Sequence, residues 1–190
     1  MQTLVDALAK SLELLISLDP HLLQIVGLTL RVTLSSLVIS TVIGLPIGVV
    51  MGLTNRLPAP GLVMALLYTG MGLPPVVVGL FVFVMLSRSG PLGALGWLFT
   101  PSAMVSAQTI IALPLIVGLT MAAVSSVGPA LRMQLRGLGA TRLQSMVTIL
   151  AEAKLGVLAA VAASYGRIVA EVGAVMLVGG NIEGKTRVLT

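Results

Sequence analysis

Residues 22–53 read LLQIVGLTLRVTLSSLVISTVIGLPIGVVMGL, and Arg31 is their single charge. As a helix this run of about 32 residues reaches roughly 48 Å, well past a hydrocarbon core of about 30 Å. A helix that long in lipid has to tilt, kink or protrude. Pro46 is the predicted kink. Gly44, Gly48 and Gly52 recur every four residues, which strips one face of side chains and lets a second helix come close.

The rest of the chain agrees with a lipid solvent. Of its 190 residues 57% are hydrophobic and only 9% are charged, against about 25% charged in a soluble domain. Mean hydropathy is +1.11. One globular core cannot hide that much apolar surface. The net charge of +5 comes from 11 basic residues. They are scattered and sit beside apolar runs, which reads as loop charge setting membrane topology, not as a nucleic-acid footprint. There is no cysteine, so disulfides and Cys-ligated metals are excluded. His21 is a lone histidine without metal-binding company.

Further apolar runs cover residues 61–86, 102–124 and 146–178, giving four predicted spans. Gly70, Gly72, Pro74 and Pro75 interrupt the second. A broken helix in lipid leaves backbone groups unpaired, so that stretch must be buried in protein or line a cavity. Pro114 lies inside the third span. Trp97, in the polar loop 87–101 with Arg88, fits an interfacial anchor. Residues 3–18 read as an amphipathic helix lying in the interface, with Leu4, Leu8, Leu12, Leu15 and Ile16 on one face. Asp6 and Glu13 replace the basic start of a signal peptide. Asp19 before Pro20 marks a helix N-terminus.

Residues 125–146 differ from the spans around them. Arg132, Gln134, Arg136, Arg142 and Gln144 alternate with Leu131, Leu135, Leu138 and Leu143, around Gly137 and Gly139. This predicts a short basic helix–turn–helix at the cytoplasmic membrane face. The fourth span holds Glu152 and Lys154 in its first turns. Deeper lie Arg167 and Glu171, four residues apart and so on one helical face. A charge inside a span costs at least about 2.5 kcal/mol unless paired or wetted. Arg31, Arg167 and Glu171 are therefore expected to face protein or a pore.

Gly179 to Thr186 matches the phosphate-binding pattern G-x-x-x-x-G-K-T letter for letter. Such a loop needs a following helix aimed at phosphate, and only four residues follow Thr186 in this sequence. Nucleotide binding here is set aside. No nucleophile, base and orienter converge elsewhere, so no catalytic role is expected.

Residues 125–146 resemble the cytoplasmic coupling loop of ABC importer permeases, whose pattern is Glu-Ala-Ala, three residues, Gly, nine residues, Ile-x-Leu-Pro. Gly139, within Leu138-Gly139-Ala140-Thr141-Arg142, takes the Gly place and Ile149 the Ile place. Met133-Gln134-Leu135 stands for Glu-Ala-Ala, and Ala151-Glu152 for Leu-Pro. Residues Arg167 to Ile182, continuing through Thr186-Arg187-Val188-Leu189-Thr190, are similar to the tungstate (Tup-type) permeases. Ala170-Glu171-Val172-Gly173-Ala174 and Gly180-Asn181-Ile182 match the Gly-Glu-Phe-Gly-Ala and Ala-Gly-Asn-Ile of molybdate permeases.

The resemblance implies an all-α, polytopic transmembrane bundle with the type I importer, MetI-like permease fold, forming one domain over residues 1–190 and lacking its last helix. It implies a multi-pass subunit of a bacterial or archaeal cell membrane, pairing with a second copy of itself and contacting lipid. Two cytoplasmic ATPase subunits would receive the coupling loops through Arg132, Arg136, Leu138, Gly139, Ala140, Thr141 and Arg142. An extracytoplasmic binding protein would deliver the oxyanion. Arg31, Arg167, Glu171 and Asn181 are the candidates along the translocation pathway. No cofactor, metal or nucleic acid is expected. Molybdate, sulfate or another anion as cargo, a secondary transporter, and a non-transporting scaffold are the alternatives.

Overall fold

The computed structural model describes residues 19–54 and 59–189; the amphipathic segment 3–18 and Arg56 lie outside them. All regular structure among the described residues is helical. Helix α1 (Pro20–Leu53) starts as the sequence predicts: the Asp19 carboxylate accepts from the backbone N–H of His21 at 2.8 Å and of Leu22 at 3.2 Å. It runs without interruption through Pro46.

Its buried residues include Val32, Ser36, Ser40, Gly44, Gly48 and Gly52, an unbroken ridge at every fourth position. That ridge lies along α4 (Pro101–Ser125). A Cβ at Gly44 would meet Ile116 at 3.0 Å, one at Gly48 the Val117 carbonyl at 2.7 Å, and one at Gly52 Val124 at 2.7 Å. Lipid removes the hydrophobic drive between helices, so close packing of small residues has to supply the attraction. The constant offset of the pairs 44/116, 48/120 and 52/124 makes α1 and α4 run in the same direction.

Parallel neighbours need a return crossing between them, and the second span provides it in two pieces. Helix α2 (Pro60–Gly72) and helix α3 (Pro75–Leu86) meet at 98°. The residue before a proline is pushed out of the helical region. Leu73 and Pro74 are both extended, with ψ of 130° and 128°. The expected interruption is therefore close to a right angle.

After α4 come α5 (Pro129–Gly137) and α6 (Arg142–Glu152). Residues 146–152, expected within the fourth span, lie in α6, and after Ala153 the chain turns by 64° into α7 (Lys154–Val169). Helix α7 stops at Val169 and α8 (Gly173–Gly179) completes the crossing. Gly156 packs on Ala123 at one end of α4 and Gly179 on Met104 at the other, so α7 and α8 together run antiparallel to it. Among the described residues two helices, α1 and α4, are each long and apolar enough to cross a membrane unaided, and two bent pairs, α2 with α3 and α6 with α7, are each long and apolar enough when taken together. The chain is a multi-pass membrane protein.

The two ends of the bundle differ. At one end Val49, Val124, Val127, Ile149, Ala153 and Val157 form an apolar cluster under α5 and α6. Toward the other, Val32, Val78, Val82, Ala107, Ile168 and Val178 belong to a larger core.

Candidate functional site

The turn between α5 and α6 is built to hold one shape. Gly139 has φ +70°, a left-handed conformation that glycine adopts without a Cβ penalty. Its N–H bonds to the Arg136 carbonyl at 3.1 Å, and the Ala140 N–H to Leu135 at 3.0 Å. These two bonds make a Schellman cap on α5. Thr141 then caps α6, accepting from Gln144 N–H at 3.3 Å while the Gln144 side chain accepts from Thr141 N–H at 2.8 Å. The capping box leaves little slack between the helices. At the tip Leu138 is 82% exposed, with Met133 and Leu143 also exposed. Apolar side chains on a polar elbow, flanked by the exposed Arg136 and Arg142, form a surface suited to a protein partner. Behind them lies a cavity of about 670 Å³ lined by Arg132, Arg136, Arg142, Ser145 and the end of α1.

The second feature is a meeting of two helix breaks. The 73–75 break in the second crossing lies beside the 170–172 break in the fourth. A Cβ at Gly173 would stand 2.8 Å from Val76, and one at Gly79 2.7 Å from the Cα of Ala174. Next to them a cavity of about 160 Å³ is lined by Gly70, Met71, Leu73, Val78, Ile111, Leu115 and Arg167. Ile111 and Leu115 place it near the middle of α4, and Arg167 is its only charged lining residue among the described residues. Around the fourth-crossing break, Gln108 Nε2 donates to the Ile168 carbonyl at 3.2 Å. The Glu171 Oε1 atom accepts from Ala174 N–H at 2.7 Å. Both ends of the break are thus satisfied by side chains, as apolar surroundings require.

A family model for the binding-protein-dependent transport system inner membrane component matches residues 44–189. The chain belongs to this family. It is 38% identical to the tungstate uptake system permease protein TupB of Peptoclostridium acidaminophilum over 100% of this chain and 83% of that protein. It is 42% identical to a protein of Haloferax volcanii named "Probable anion ABC transporter permease protein", over 85% of this chain and 69% of the other. A molybdenum transport system permease protein, ModB of Azotobacter vinelandii, is 30% identical over 90% of this chain and 78% of its own length. The chain is thus an ABC permease, a non-catalytic membrane subunit that works in a system with an ATPase and a substrate-binding protein.

Within this permease the residues singled out on sequence separate into different places. Arg132 does not point outward with Arg136 and Arg142. It turns back to the carbonyls of Val124 at 2.8 Å and Gly52 at 3.2 Å. Arg167 and Glu171 do not share a helical face, because α7 ends between them and Glu171 caps α8 instead; no ion pair joins them among the described residues. Arg31 lines a separate groove of about 460 Å³ with Ser35, Trp97, Ser102 and Ser106. Asn181 sits beyond α8 with φ +47° and a buried Oδ1 that has no partner among the described residues. Four candidates for one pathway therefore occupy four sites.

The phosphate-loop look-alike closes on itself. Thr186 Oγ1 donates to the Gly179 carbonyl at 2.6 Å and accepts from Ile182 N–H at 2.9 Å, so its hydroxyl is consumed within the turn. Leu189 N–H donates to Thr29 Oγ1 at 2.9 Å and Glu183 lies 3.2 Å from His21, tying this segment to the start of α1. Sequence reading passed over Gln108. The signal was present: it is the one amide side chain inside the apolar run 102–124.

Proposed function

We propose that this permease carries tungstate across a bacterial or archaeal cell membrane as the pore-forming subunit of an ATP-driven importer. The observation that carries the reading is the 38% identity to a tungstate uptake permease along the whole chain. Residues 1–190 act as one transmembrane domain, and two copies form the pore between them. Each α5–α6 elbow faces the cytoplasm and docks on one of two ATPase subunits. Leu138 and its apolar neighbours supply the contact area, and Arg136 and Arg142 the charge. Gly139, Ala140 and Thr141 hold the tip in shape. Lipid surrounds the exposed apolar sides of α1.

The pathway passes the paired helix breaks. Tungstate is a tetrahedral dianion that must leave water to cross. A guanidinium lining a mid-span cavity lowers that barrier by charge and hydrogen bonding, and two copies would present two such groups to a double charge. One Arg per copy keeps the attraction modest, and conduction demands a site weak enough to release its ion. The breaks supply the movement, since helices interrupted near the midplane can tilt on either side of the break.

The test is uptake into proteoliposomes holding the permease, its ATPase and its binding protein. ATP-dependent accumulation of tungstate, competed weakly by molybdate and sulfate, is the expected result. Preferential accumulation of another oxyanion would reassign the cargo. Absence of ATP-stimulated uptake for every oxyanion would remove the transport reading.

A further inference from the structure

We infer that Arg132 is the joint that carries movement of the elbow into the spans. This rests on the transport reading above. One guanidinium, on the first helix of the elbow, reaches the last turns of two parallel crossings. Its Nη2 atom donates to Gly52 of α1 at 3.2 Å and to Val124 of α4 at 2.8 Å, and its Nε to Val127 at 3.4 Å. The last carbonyls of a helix have no partner within it. They also carry the negative end of the helix dipole. A cation placed between two such ends satisfies both and draws them together.

The backbone brings the ends within reach. Gly52 packs so closely on α4 that a Cβ would stand 2.7 Å from Val124 and 2.9 Å from the Met121 carbonyl. Ser125 Oγ lies 3.5 Å from the same Gly52 carbonyl. Leu131 and Leu135 of α5 pack on the apolar cluster beneath. Those contacts are greasy and permit sliding. The guanidinium fork fixes direction, because its donors lie in one plane at set angles. A pull on Leu138 at the tip therefore reaches α1 and α4 together, through a bonded link six residues away in sequence.

The alternative is that Arg132 only stabilises the fold. The two roles are separated by Arg132→Ala and Arg132→Lys in the full importer, assayed as tungstate taken up per ATP hydrolysed in assembled complexes. Wild-type coupling well above Arg132→Lys, with Arg132→Ala lowest by about tenfold, supports the joint. Loss of assembled complex with an unchanged uptake-to-hydrolysis ratio in what remains overturns it. Gly52→Ala, which keeps the guanidinium but parts the two carbonyls, should lower the ratio too. Hydrogen exchange on the purified permease gives a readout independent of cargo. In Arg132→Ala, protection should fall together in 49–54, 121–127 and 130–136. Protection lost in 130–136 alone would overturn the joint even were the chain to carry nothing, whereas a wild-type importer without uptake would sink the transport reading only.

Discussion

Gly79 and Ala174 are in backbone contact: a side chain at Gly79 would begin 2.7 Å from the Cα and 2.9 Å from the Cβ of Ala174. The contact joins the outer arm of one broken crossing to that of the other, just beyond both breaks. Nothing can be inserted there without separating α3 from α8.

Gly79→Leu should therefore abolish uptake and lower thermal stability in detergent, with an overpacking cost of about 1–3 kcal/mol. A melting curve equal to the wild type, with full uptake, would mean the two arms are not held as described.

The elbow turn offers a milder change. Among the described residues no atom beyond its chain neighbours lies within 4 Å of a Cβ added at Gly139, so Gly139→Ala meets only the left-handed backbone penalty of about 1–2 kcal/mol. Thr141→Ala removes a cap worth about 1 kcal/mol. Each should raise amide exchange within 135–145 and leave the spans protected. Faster exchange in α4 would contradict that separation.

Arg167→Gln should reduce tungstate uptake by at least about tenfold, the scale of one charge-assisted hydrogen bond lost at mid-span. Basal ATP hydrolysis and dimer assembly should stay near wild type. Arg167→Lys should recover part of the uptake by restoring charge. Equal uptake by all three would exclude Arg167 from the path.

Gln108 presents opposing effects. Its Nε2 satisfies a buried carbonyl, but its Oε1 is buried with no partner among the described residues. Gln108→Leu loses a hydrogen bond of about 1 kcal/mol and relieves an orphan acceptor costing about 1–3 kcal/mol. Thermal stability should change little or rise. A drop beyond about 3 kcal/mol would imply that a bound water already satisfies Oε1.

The two long apolar helices were legible because hydropathy and glycine spacing are local signals. Gly44, Gly48 and Gly52 announced a close helix contact, although not that Val32, Ser36 and Ser40 extend it. Pro74 and Pro75 announced a break, but proline chemistry alone does not set the angle between the arms. The elbow was legible as a helix–turn–helix, and its second helix was cut short because Met146 to Leu150 is as apolar as a span. The Arg167–Glu171 pairing failed for a reason periodicity cannot carry. Four-residue spacing means a shared face only while the helix continues, and Ala170 lies at its end. The role of Arg132 was hidden likewise, since its partners are backbone carbonyls distant in sequence.

Helix α4 touches every other crossing: α1 along its length, both arms of the second, and both arms of the fourth. It is in effect the axle of the subunit. Mutations on its inward faces, such as those at Ala103, Ala107, Ala112 and Ile116, which are fully buried, have no lipid side into which to relax. Saturation mutagenesis of the whole chain should thus show its deepest intolerance along one helix that carries no charge.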